Sequence, residues 1–160
     1  MIVKKFTLKV ATIFDYASRI VCFVLMLLIF VNVVMRAVNM PIRGTIEFVE
    51  FFNAMTIGLA LAYCGARGGH IFVTFLYEKF KGKLQLIVDI VIDLISLAFL
   101  SLSSYRLFIY GATMQSQGQV SMTTMTPYYP FVYVVSIGFI AYCLVLLGDI
   151  IYNCVKVVKR

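Results

Sequence analysis

The chain has 160 residues, 62% of them hydrophobic and 13% charged, and a formal net charge of +7. Soluble domains carry about 25% charged residues, so the composition excludes an ordinary water-soluble enzyme and makes the bilayer the expected solvent. The basic residues lie between and beside apolar runs and not along one helix face, which excludes a nucleic-acid surface.

A helix crossing the hydrocarbon core needs about 20 mostly apolar residues. The apolar runs predict an all-α membrane protein with helices over 14–38, 45–66, 84–110 and 128–154, forming one membrane domain across 1–160. Lys4, Lys5, Lys9 and Arg19 precede the first apolar run, which starts at Ile20. That run is too long for a cleaved signal peptide and lacks a small-x-small site, so it is expected to be retained. Asn32 and Arg36 interrupt it, with Arg36 close enough to the far interface to snorkel. Asn39, Pro41 and Gly44 predict a short turn.

The second helix carries Glu47, Glu50 and Asn53 in its first turns and stops at Arg67, Gly68, Gly69 and His70. The stretch 71–81 is too short and too charged to cross. Its Ile71, Phe72, Phe75, Leu76 and Phe80 nevertheless share one side, opposite Thr74, Glu78 and Lys81, which predicts a short amphipathic helix in the interface, capped by Gly82. The third helix contains Asp89, Asp93, Ser96, Ser103 and Arg106. No formal charge occurs from Leu107 to Gly148, so the loop Gly111 to Thr126 is placed by its Gly, Gln, Ser and Thr alone, and the fourth helix follows Pro127. Tyr110, Tyr128 and Tyr129 at one interface and Tyr152 at the other fit an aromatic belt.

Most basic residues fall at the N-terminus, at Arg67, Lys79, Lys81 and Lys83, and at Lys156, Lys159 and Arg160, against Arg36, Arg43 and Arg106 elsewhere. The positive-inside rule therefore predicts both termini and the interfacial helix on the cytoplasmic side.

Asp89 and Asp93 share a helix face, continued by Ser96 and Ser103. Intramembrane carboxylates mark ion pathways or buried partners; lying near the cytoplasmic interface, these two are expected to pair with Arg67, Lys83 or a partner's base before they would carry an ion. Glu47 and Glu50 are expected to meet Arg36, Arg43 and Arg106 in a charge cluster tying three helices together, or to receive an external partner. Ala54, Gly58, Ala62 and Ala66 recur every four residues, a stripe that lets a helix of this chain or another approach closely.

His70 is the single histidine, so bis-histidine haem ligation and His-rich metal sites are excluded. Cys22, Cys64, Cys143 and Cys154 contain no C-x-x-C pair, and no nucleotide-binding glycine motif or Ser/His/Asp constellation is present. No catalytic, cofactor or metal residue is expected.

In order, the features resemble the small membrane subunit of tripartite ATP-independent periplasmic (TRAP) transporters, the DctQ-like family. The resemblance rests on "NVVMRAV" closing the first span, "IEFVE" opening the second, "ARGGHIFVTFL" after it and "TPYYPF" leading the fourth. One departure is the lack of the tryptophan that the family often has beside the acidic residues of helix two. The resemblance implies a bacterial inner-membrane subunit, with a periplasmic binding protein that captures an organic acid and a large multi-spanning subunit that carries it with sodium. This chain would scaffold the large subunit, in contact with phospholipid. The rival readings are an autonomous four-helix exporter and an assembly or anchor subunit of another membrane complex.

Overall fold

The computed structural model describes residues 2–66 and 83–158, so the turn at Arg67 to His70 and the expected interfacial helix over 71–81 lie outside the described residues. Four helices fill almost all of the rest: α1 (Ile2–Ala37), α2 (Thr45–Ala66), α3 (Lys83–Ser116) and α4 (Tyr129–Val158). All four are long and apolar enough to span a membrane. α2, with 22 residues, is about 33 Å long and matches the hydrocarbon core. α1, with 36 residues, runs to about 54 Å and must tilt or protrude.

α1 therefore begins well before residue 14. Further along, Asp15 and Arg19 neutralise each other one turn apart at 2.7 Å, with Arg19 also over the Tyr16 ring. It stops where Asn39 adopts φ 58 and the Met40 N–H reaches back to the Met35 carbonyl at 2.9 Å, a left-handed cap. α3 also outruns its expected end at Tyr110. Gly111 does not break it, because the Tyr133 ring covers the position where a side chain would stand. Thr113 and Ser116 turn their hydroxyls onto the Ile109 and Thr113 carbonyls of the same helix. The stop is Gly118, at φ 61, with Gln119 N–H bonded to the Met114 carbonyl.

α4 is the hub. It packs along both α2 and α3 and meets α1 more briefly, while α1 packs along α2. A buried cluster joins all four helices through Ala11 of α1, Ala62 of α2, Leu100 of α3, and Ala141, Tyr142, Val145 and Leu146 of α4. One end of the bundle, here the loop end, carries the α1–α2 turn and the α3–α4 loop; both termini lie at the other, where Gly148 accepts Thr7. Beyond Ser18, α1 shows the bundle only one half-buried stripe, Val21, Leu25, Leu28, Asn32 and Met35. The remaining residues of its outer half are exposed.

Candidate functional site

Three arrangements of polar or small residues stand out, and the first is a hook at the loop end. Gly44, at φ 77, starts α2, and Thr45 donates its hydroxyl to the Ile42 carbonyl. The Glu47 carboxylate, in the first turn, then reaches across to the α3–α4 loop. It accepts the Thr123 N–H at 3.0 Å on one oxygen, and on the other the Thr124 N–H at 3.2 Å and the Thr124 hydroxyl at 2.9 Å. The loop is pre-shaped for this. Ser121 is fully buried and closes a turn with Thr126, and Thr126 donates to the Thr124 hydroxyl oxygen. A methyl at Gly44 would strike the Thr124 side chain, which is why the turn and the loop can touch. Asn32 supports the same turn from α1 by accepting the Ile42 N–H at 3.1 Å.

This differs from the expected charge cluster. Glu47 holds backbone and hydroxyl donors, and no salt bridge from Glu47 or Glu50 to Arg36, Arg43 or Arg106 occurs among the described residues. Arg36, Arg43, Glu50 and Arg106 are all exposed. The physical reason is reach: the loop brings three oriented donors to Glu47, whereas Arg36 and Arg43 already stand in solvent-facing turns and gain little from pairing.

The second arrangement is the seam between α2 and α4. A side chain at Gly138 would collide with the Gly58 carbonyl, and one at Gly58 would lie 3.1 Å from the Val135 Cα, so the two backbones cross in near contact. Ala62 is fully buried in the same seam, and Gly65 lies under the Tyr142 ring. Toward the loop end Phe51 stacks on Phe131 with centroids 4.3 Å apart, and meets Tyr128 edge-on. The small-residue stripe thus serves this chain's own α4 at Gly58 and Ala62. Ala54 is exposed and Ala66 half-buried, because steps of four residues advance 40° each around a helix and drift off any one face.

The third lies on α3. Asp93 is buried, and the Asp89 side chain lies outside the described residues. The polar face continues not to Ser103 but to Ser104, eleven residues on, which the helical period brings back to within about 20° of Asp93. Ser104 donates to the Ser136 carbonyl at 3.2 Å, and Ser136 donates to the Ser104 carbonyl at 3.1 Å, a reciprocal clasp between α3 and α4. On the α1 side, Ser18 donates to the Thr56 carbonyl at 3.0 Å. These groups bind helix to helix.

A family model described as tripartite ATP-independent periplasmic transporters, DctQ component, matches residues 25–155. The chain belongs to that family. The matched segment holds α1 from Leu25, all of α2 and α3, most of α4, the hook, the seam and the serine clasp, and leaves the Asp15–Arg19 pair outside. As a DctQ component, the chain is the small membrane subunit of a TRAP transporter, a multi-pass transporter component whose partners are a large membrane subunit and a periplasmic binding protein. No curated protein and no solved structure matches it.

Proposed function

We propose that this DctQ component is a static scaffold that holds the large subunit in the bilayer during sodium-coupled uptake of an organic acid delivered by the periplasmic binding protein. The observation that carries the reading is the continuity of the four described helices. Secondary transporters commonly build substrate and ion sites from interrupted helices near the midplane. Here Ser18, Ser104 and Ser136 tie helix to helix.

The membrane is the bacterial inner membrane. Both termini lie in the cytoplasm. That orientation follows from the clustering of basic residues at the terminal end and places the hook in the periplasm. Asp89 and Asp93 are structural residues near the cytoplasmic interface.

The test is reconstitution into proteoliposomes with an inward sodium gradient. The pair of membrane subunits with the binding protein is expected to accumulate a radiolabelled organic acid, and this chain alone none. Uptake by this chain alone would replace the scaffold with an autonomous carrier.

A further inference from the structure

The exposed residues of α2, Ile46, Glu50, Asn53, Ala54, Ile57 and Cys64, form one stripe at helical spacing on the side away from α4. Glu50 and Asn53 have no hydrogen bond or ion pair among the described residues. They lie about 8 and 12 Å along the helix from Thr45. Glu50 leans toward the nearby helix start and reaches the interface. Asn53, one methylene and an amide long, stays among hydrocarbon, where an unsatisfied amide is costly.

The other exposed faces differ. From Phe23 to Val34 the exposed residues of α1 are apolar, and so are Ile137, Ile140, Leu144 and Leu147 of α4. On α3 the exposed Arg106 borders a groove with Leu107, Ile109, Tyr110 and Thr113 that leads toward the loop end, a path for a long side chain to snorkel.

Resting on the reading of this chain as a TRAP subunit, we infer that the Glu50–Asn53–Ile57 stripe of α2 is the face covered by a transmembrane helix of the large subunit. That helix presents a cationic or hydrogen-bonding side chain to Glu50 and an amide- or hydroxyl-type partner to Asn53. An unpaired carboxylate and an unpaired amide on one stripe select this occupant. A second copy of this chain docked symmetrically through the same stripe would bring two Glu50 carboxylates together with no cation between them. A lipid headgroup reaches Glu50 but not Asn53. The exposed Ala54 beside Asn53 leaves room for a close helix. α1's outer half then faces lipid.

The experiment uses the two-subunit complex with a benzophenone amino acid placed at Ile57, at Phe30 of α1 or at Phe99 of α3, all well exposed in this chain. Irradiation is expected to cross-link the large subunit from Ile57 and from neither phenylalanine. The double variant Glu50→Gln, Asn53→Leu is expected to recover the large subunit at least about tenfold less efficiently in mild detergent, while remaining monodisperse itself. Cross-links from Phe30 or Phe99 with none from Ile57, in a complex that co-purifies intact, overturn the assignment of the face. Failure of the native chain to retain any large subunit overturns the TRAP reading and the assignment with it.

Discussion

α4, which forms the seam with α2, and the outer half of α1 are built from similarly apolar sequence. One is packed until backbones touch at Gly58 and Gly138, and the other is open on most of its circumference. Hydropathy puts both in the membrane but does not pack them, because lipid tails are as apolar as leucine. Close packing appears where glycine and alanine let a neighbour in. The branched and aromatic surface of Phe23, Phe30, Val31 and Val33 offers no such recess.

If that contrast is right, Gly138→Leu is the most damaging single change. Its side chain occupies the Gly58 carbonyl position, and the expected cost is about 3 kcal/mol or more, read as loss of the monodisperse species in a detergent thermostability series. A fully stable variant would mean that the two backbones do not cross as described. Glu47→Ala comes next, with its effect confined to the loop end: amide exchange at Thr123 and Thr124 should accelerate on the order of tenfold, while exchange in the seam stays unchanged. Spread of the effect into α4 would make the hook part of the core. Ser104→Ala and Ser136→Ala are each expected to cost only about 0.6 kcal/mol, a usual value for interhelical hydrogen bonds in membranes. A double-mutant cycle should show them to be coupled. Phe30→Ala, on the open side of α1, is expected to change the stability of the isolated chain by no more than about 0.5 kcal/mol; a larger loss would bring that face into the bundle.

The four spans were legible because apolar runs of this length have few other uses. The ends of α1 and α3 were less so. The helix expected from residue 14 begins at Ile2, because the turns that carry Lys4, Lys5 and Lys9 continue it outside the apolar run, and Gly111 acts as a packing recess although glycine usually signals a break. The partner of Glu47 was hidden for a different reason. Arginines advertise themselves by charge, whereas Thr123 and Thr124 contribute two backbone N–H groups that every non-proline residue possesses. Ser104 was recoverable by strict helical arithmetic from Asp93, and Ser103, one residue earlier, points elsewhere. The pairing of Gly58 with Gly138 required knowing which helices are neighbours.

The hook also has a consequence in time. Glu47 is 76 residues ahead of Thr123 in the chain, so at 5–20 residues per second the ribosome needs about 4 to 15 s to supply its partner. During that interval the first hairpin is in the membrane with its turn already closed by the Asn39 cap and Asn32, and its carboxylate still facing water. The contact forms only when the second hairpin has crossed in the matching direction. An inverted second hairpin would leave Thr123 and Thr124 on the opposite side of the bilayer, and Glu47 would then distinguish a correctly inserted chain from a misinserted one.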